Sequence, residues 1–129
     1  MATITVSNPE GVHAPASAYS HAALIEGTGK RLIISGQVGV AADGTVSTDP
    51  EGQIDQVFAN LLTVLKAHGM TQKNVAKITV FLTDRMVIGP WRRKRDAWFE
   101  GHAAAATLIL VAGLADPRFV VEVEAEAYA

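Results

Sequence analysis

The last quarter of the chain, residues 103–128, constrains the fold most because it contains two segments with different hydrophobic patterns. Residues 107–111 are apolar almost throughout, which is typical of a strand that is covered on both faces. Residues 119–127 nearly alternate, so the two-residue repeat of a strand places apolar side chains on one face and glutamates on the other. Gly113 and a following Asp–Pro pair separate the segments. An antiparallel return through a loop is the simplest connection between them.

Periodicity and turn residues predict the other elements. Four further strands are predicted at residues 2–6, 22–26, 31–35 and 74–82. The Gly-rich residues 27–30 predict a hairpin that joins the second and third of these strands. Apolar residues at helical spacing predict one helix over residues 53–68 and a second from Ile88 or Pro90 to Gly101.

This order of elements predicts an α+β fold, with two helices on one face of a mixed sheet. A chain of 129 residues is long enough to form a single domain, residues 1–129. Three of the predicted strands are apolar on both faces, at residues 32–34, 78–82 and 108–111. Two helices cover only one face of a sheet, and soluble proteins rarely expose a large apolar patch. We therefore predict a homo-oligomer in which copies of the chain bury the second face.

Composition limits the class of partner. The chain has no cysteine, which excludes disulfides, thiolate metal sites and cysteine nucleophiles and suits a reducing compartment. No apolar run approaches the roughly 20 residues of a membrane span, and no signal segment is evident, so we expect a soluble, cytoplasmic protein with no membrane partner. Lys and Arg total 11 against 13 Asp and Glu, a net charge of −2, which provides no global attraction for nucleic acid.

The four histidines do not form a metal motif. His13, His21, His68 and His102 lie far apart in the sequence, and none is at ligand spacing from another. We predict no metal site and no cofactor. His68 and His102 lie near the ends of the predicted helices, so we interpret them as partners of those helix ends.

The basic residues 92–95 lie among aromatic residues of the second predicted helix, a combination that nucleic-acid interfaces also use. Four consecutive helical residues point around most of a helix, so they do not form one cationic face. We interpret Arg93 and Lys94 as solvated. Arg92 shares a helical side with Arg95 and Phe99 and is a candidate for a pocket at a subunit boundary.

Two further places are candidates for ligand contacts. Glu122 lies deepest of the three glutamates in the last strand, where a carboxylate can hold a water molecule or act as a base. We interpret Glu124 and Glu126 as a solvated face that discourages edge pairing. Ser35 has no adjacent base and is interpreted as a hydrogen-bond donor to a ligand, while Gly36 beside it allows close backbone approach.

Four motifs together resemble the RidA/YjgF family over residues 19–127: Ser35–Gly36–Gln37, Asn60–Leu61, residues 77–82 and residues 121–125. The resemblance implies a chorismate-mutase-like α+β fold and a homotrimer whose sheets form a central barrel. It also implies small-molecule pockets between subunits. Catalytic members hydrolyse reactive enamines and imines, such as 2-aminoacrylate, to a 2-oxo acid and ammonia, without a cofactor or metal.

The resemblance also implies roles for individual residues. Glu122 corresponds to the glutamate that positions the attacking water, and Tyr19 and Ser35 correspond to pocket residues. Arg92 stands where those members have an Asn.

The substrate-carboxylate contact of the deaminating members is changed. In those members an Arg in a Pro-Ala-Arg-Ser-like motif pairs with the substrate carboxylate. The motif here is residues 104–107, with Ala106 in the place of the Arg and Thr107 after it. Loss of such a contact costs about 1.5–3 kcal/mol, or one to two orders of magnitude in affinity.

Three functions follow from these observations. In the first, the protein binds, or binds and hydrolyses, a different small carboxylate or imine metabolite, with Arg92 as the replacement cation. In the second, it is a slow imine deaminase that uses Glu122 and a water molecule. In the third, it binds or cleaves RNA, since some members of the family are described as endoribonucleases. The net charge of −2 and the absence of a histidine pair argue against the third.

Overall fold

The computed structural model covers residues 1–129 and contains six strands and two α-helices. The strands are Thr3–Ser7 (β1), Ala22–Glu26 (β2), Arg31–Val38 (β3), Val75–Leu82 (β4), Ala105–Leu110 (β5) and Val121–Tyr128 (β6). The helices are Pro50–Ala67 (α1) and Ile88–Phe99 (α2), and short 3₁₀ turns at Gln72–Asn74 and Arg85–Val87 precede β4 and α2. The predicted order of elements is confirmed. Neither helix is both long and apolar enough to cross a membrane.

Helix α1 begins earlier than its apolar pattern predicts because its cap lies before that pattern. The Asp49 carboxylate accepts a hydrogen bond from the Glu51 backbone N–H, and Pro50 occupies the first helical position. Both features are typical of a helix start. The helix ends before Gly69, whose φ of +73° is favourable for glycine.

The predicted hairpin between β2 and β3 is wrong. Strand β2 pairs with β1 in a separate antiparallel sheet, whereas β3 pairs with β6. The physical reason is burial, because Ile34 of β3 enters the core under the helices only when β3 lies beside β6. Gly27, with a φ of +87°, permits the turn that carries the chain from one sheet to the other.

The predicted pairing of the last two strands is also wrong. The main sheet has the order β3-β6-β4-β5, so β4 separates β5 from β6. Strand β6 is antiparallel to β3 and β4, while β5 is parallel to β4. A parallel neighbour needs a crossover, and α2 provides it by returning the chain to the outer edge beside β4.

One face of this sheet carries the core. Ile34, Val80 and Val123 point toward the helices and belong to one buried cluster with Leu61 of α1 and Trp91 of α2. The two-residue repeat in β6 is regular, with buried residues alternating with the glutamates. The prediction that both helices cover one face is confirmed.

The second face of the sheet is open in the single chain. Ile33 and Ile109 expose 58% and 40% of their surface, and Phe81 is half-buried. Lys77 and Thr79 share this face with the glutamates of β6, since they lie opposite Glu126 and Glu124. The face is therefore apolar only in part, less than the sequence of β4 predicts.

The β3–β6 junction carries a polar cluster at its outer end. Arg31 pairs with Glu126 at 3.2 Å, and the Tyr128 hydroxyl donates a hydrogen bond to the same carboxylate at 3.0 Å. Burial raises the pKa of Tyr128, and the hydrogen bond to Glu126 raises it further. Glu126 is therefore a paired residue and not simply a solvated one.

Candidate functional site

A cavity of about 450 Å³ lies between α2, the edge strand β5 and the loop of residues 13–21. Four of the predicted site residues line it: Tyr19, Arg92, Ala106 and Thr107. The Thr107 hydroxyl accepts a hydrogen bond from the Lys77 ammonium at 2.7 Å, so that side chain lies on the open face of the sheet. The small, apolar Ala106 side chain adds no polar group to the β5 wall of the cavity.

The other three predicted site residues lie outside this cavity. Glu122 lies on the open face of the sheet, because its neighbours Val121 and Val123 are buried on the helix side. Gly36 contacts it directly, since a Cβ atom at Gly36 would overlap the Glu122 carboxylate. Ser35 is exposed next to Gly36, at an irregularity in the β3–β6 register. One chain therefore contains two separate groups of predicted residues.

Sequence reasoning missed Arg95 as the residue of α2 that lies deepest in the cavity wall. Trp91, Arg95 and Phe99 form the buried stripe of α2, and Trp91 stacks on Phe58 of α1 with ring centroids 5.1 Å apart. Arg95 is only 5% exposed and borders both this cavity and a smaller one of about 200 Å³. The i, i+4 spacing from Trp91 was the signal that could have identified it.

The hydrogen bonds of Arg95 leave part of its guanidinium free. Its Nε and Nη2 both donate to Asp96 Oδ1 at 3.0 Å, whereas Nη1 has no partner within the chain. No fully buried side-chain nitrogen or oxygen in the protein lacks a partner. The Nη1 atom is therefore accessible, and it can donate to an anion that enters beside α2.

The rest of the basic run has other partners. Arg93 pairs with Glu51 at 3.3 Å and Lys94 pairs with Asp55 at 3.0 Å, both across the α1–α2 contact. Arg92 is exposed, has no ion pair and lines the cavity. Only Arg92 and Arg95 thus present cations to this space.

The loop that closes the cavity brings two histidines together, which their separation in the sequence did not indicate. The rings of His13 and His21 meet edge to face with centroids 5.1 Å apart, and Tyr19 meets His21 in the same way at 5.7 Å. The His21 Nε2 lies 2.6 Å from the His13 carbonyl oxygen, and the His13 Nδ1 lies 3.0 Å from the Ala14 carbonyl oxygen. A carbonyl oxygen only accepts, so these two ring nitrogens carry the protons.

The remaining histidines have structural roles. The His68 ring donates to the Val64 carbonyl at 2.8 Å at the end of α1, as the helix-end interpretation predicts. The His102 ring donates to the Val75 carbonyl at 2.7 Å and so connects the turn after α2 to the start of β4. The chain contains no group of three His, Asp or Glu residues that could hold a metal ion.

A family model described as endoribonuclease L-PSP matches residues 11–129. The chain belongs to this family, the RidA/YjgF family. It is 33% identical over 105 residues to a rat protein named 2-iminobutanoate/2-iminopropanoate deaminase, covering 78% of this chain and 74% of the relative. It is 37% identical over 76 residues to the RutC family protein YjgH of Escherichia coli, covering 59% of this chain and 57% of the relative. The match to YjgH thus spans little more than half the length of that relative, as does a match to a RutC family protein of Aquifex aeolicus, at 54%.

Solved structures of RidA/YjgF proteins have the same fold. The Rid-family protein YyfB of Yersinia pestis, whose function is unknown, has a TM-score of 0.86 and 31% identity over 98% of both chains. RidA of a Psychrobacter species has a TM-score of 0.75 and 26% identity, covering 97% of this chain and 99% of that one. The α+β fold with two helices and a mixed sheet is therefore that of the RidA/YjgF family.

Proposed function

We propose that this RidA/YjgF protein binds a small carboxylate or imine metabolite in the cavity between α2 and β5. The observation that carries the proposal is the free Nη1 of the buried Arg95, in a cavity that Arg92 also lines. A guanidinium that is held in place and partly desolvated is a strong partner for a carboxylate. The rat relative is named for two imino acids, 2-iminobutanoate and 2-iminopropanoate, which supports a ligand of this class.

In this proposal, α2 supplies the cation that the β5 position lacks. Ala106 and Arg95 line the same cavity, so both residues border the space in which a carboxylate would bind. Asp96 holds the Nε and Nη2 edge of Arg95 and thereby fixes the plane of the guanidinium. Orientation and charge are then both retained, although they come from the helix instead of the strand.

The complete site lies at the boundary between subunits. A single chain keeps Glu122, Gly36 and Ser35 on the open sheet face, away from the cavity beside α2. A ligand that uses both groups therefore needs a second copy of the chain. The open apolar residues Ile33 and Ile109 support such an assembly. We propose a homotrimer with the sheets facing a central barrel.

The reaction that fits the residues of the site is hydrolysis of an imine, as in the name of the rat deaminase. Glu122 would hold the attacking water at the boundary, giving slow release of ammonia from an imine. His13 and His21 do form a histidine pair, but an RNA ligand is not favoured, because Arg93 and Lys94 are paired with acidic residues and do not form a cationic face.

Calorimetric titration with 2-oxobutyrate, the stable 2-oxo acid that hydrolysis of 2-iminobutanoate gives, tests the proposal. Replacement Arg95→Gln is expected to weaken binding about 10- to 100-fold, since a charge-assisted contact is worth about 1.5–3 kcal/mol. Arg92→Ala is expected to weaken it by less, because Arg92 is exposed and more hydrated. Arg93→Gln, on the same helix but outside the cavity, is the matched control. Equal affinities of the wild type and Arg95→Gln would remove Arg95 from the site.

A further inference from the structure

We propose that His21 is the acid–base group for hydrolysis of an imine bound in this cavity. The inference rests on the proposed function, since it takes the carboxylate-bearing ligand beside Arg95 as given. His21 and Arg95 line the same cavity, on the loop and on α2 respectively. An acid–base group on that wall would lie near the reacting carbon of a small imino acid, whose carboxylate and imine carbon are adjacent.

The structure holds the His21 ring from several sides. Its backbone N–H donates to the Asn8 side-chain oxygen at 2.8 Å, and its ring contacts His13 and Tyr19 edge to face. The ring Nε2–H donates to the His13 carbonyl oxygen at 2.6 Å, which fixes the tautomer. The half-buried side chain is thus more constrained than the exposed His13 next to it.

This tautomer leaves Nδ1 as the basic nitrogen. Nδ1 has no hydrogen-bond partner in the chain, and no fully buried side-chain nitrogen lacks one, so Nδ1 is accessible. A neutral imidazole with one nitrogen fixed by a carbonyl and the other free is arranged as a general base. His68 and His102 do not line this cavity, so His21 and His13 are the two imidazoles in its wall.

The reaction needs water as its only co-reactant. A water oxygen attacks the imine carbon of the iminium form, forming the C–O bond while the C=N π electrons move to nitrogen, and one water proton passes to Nδ1. The imidazolium then returns this proton to the nitrogen, and the C–N bond breaks. The hydroxyl proton leaves with the ammonia as ammonium, and the remaining carbonyl is that of the 2-oxo acid. In this scheme His21 takes the proton of the water that Glu122 of a neighbouring copy holds at the proposed subunit boundary.

The experiment measures hydrolysis of an imino acid that an amino acid oxidase generates in situ. Semicarbazide traps the imino acid that has not been hydrolysed. General acid–base catalysis contributes roughly 100- to 10,000-fold, so His21→Ala is expected to lose at least about 100-fold in rate. Added imidazole is expected to restore part of that rate in His21→Ala, a recovery that a purely structural role would not give. His68→Ala is the matched control, since His68 lies at the end of α1 outside the cavity.

A second variant and a second measurement separate the possible failures. His21→Gln retains a donor for the His13 carbonyl and lacks the ring base, so it is expected to fold and to lose activity as His21→Ala does. Both variants are expected to bind 2-oxobutyrate like the wild type. Unchanged hydrolysis by either folded variant would overturn the role of His21. The same follows if the wild type binds 2-oxobutyrate but the imine decays at the uncatalysed rate. A wild type that does not bind 2-oxobutyrate would overturn the proposed function, and this inference with it.

Discussion

At the scale of residues, the small Ala106 side chain has two effects on the cavity. It places no cation on the β5 wall, and it leaves open the volume that a longer side chain would fill. Arg95 approaches the same space from α2, with one edge held by Asp96 and the other free. A ligand anion would then be held from the helix instead of from the strand.

The first prediction concerns a cation introduced at position 106. Ala106→Arg is expected to raise hydrolysis of freshly generated 2-aminoacrylate by about 10-fold or more, because a charge-assisted contact from β5 is restored. The measurement is the release of ammonia and pyruvate against the wild type. Ala97→Arg, on the exposed side of α2, adds the same charge outside the cavity and is expected to leave the rate unchanged. An unchanged rate in folded Ala106→Arg would count against the alignment of residues 104–107.

Residues differ in how far their roles could be read from the sequence. The alternation in β6 predicted correctly that Glu122 and the buried valines lie on different faces of the sheet. Arg95 was obscured by its three basic neighbours, although its spacing from Trp91 and Phe99 placed it on the apolar stripe. The contact of His13 with His21 was not predictable, because an irregular loop without periodicity determines it.

At the scale of elements, local patterns predicted the helices and strands but not all their pairings. Periodicity acts within a few residues, and it predicted α1, β4 and α2 with boundaries within three residues of those observed. Strand pairing depends on which faces must be buried together, which the sequence of two adjacent strands does not contain. Strand β6 lies between β3 and β4, and the apolar side chains of all three strands lie together on the face that the helices cover.

The second prediction tests one residue that joins α1 to the start of β6. The Gln53 amide donates to the carbonyls of Ser47 and Arg118 at 2.9 and 2.8 Å and accepts from the Val120 N–H at 3.0 Å. Gln53→Glu replaces a buried donor with an oxygen that faces two carbonyls, so it is expected to lower the free energy of unfolding by about 1–3 kcal/mol or more. Urea denaturation measures the loss.

The control for this prediction is Gln56→Glu, one turn along α1. The Gln56 amide donates only to the Asn60 side-chain oxygen at 2.8 Å, so Gln56→Glu loses one hydrogen bond where Gln53→Glu loses two. We expect a smaller effect than at Gln53. Equal losses in the two variants would show that the Gln53 hydrogen bonds contribute no more than an ordinary helix contact.

At the scale of the whole molecule, the number of helices determines how much of the sheet remains uncovered. Helices α1 and α2 bury one face of the sheet, and the second face exposes Ile33 and Ile109. This imbalance was visible in the sequence because it needs only a count of apolar strands and helices. The charged and polar residues on the same face, such as Lys77, reduce its apolar area and make a specific interface more favourable than nonspecific association.

The last prediction concerns the assembly. Light scattering after size exclusion is expected to give three times the 13.6 kDa mass of one chain. Ile33→Lys places a charge on the open sheet face and is expected to shift the protein toward monomer. If the site lies between subunits, this variant also weakens binding of 2-oxobutyrate, although Ile33 does not line the cavity beside α2. Met86→Lys is the matched control because Met86 is 82% exposed and lies outside the sheet. A monomeric wild type with full affinity would contradict both the trimer and a site shared between its subunits.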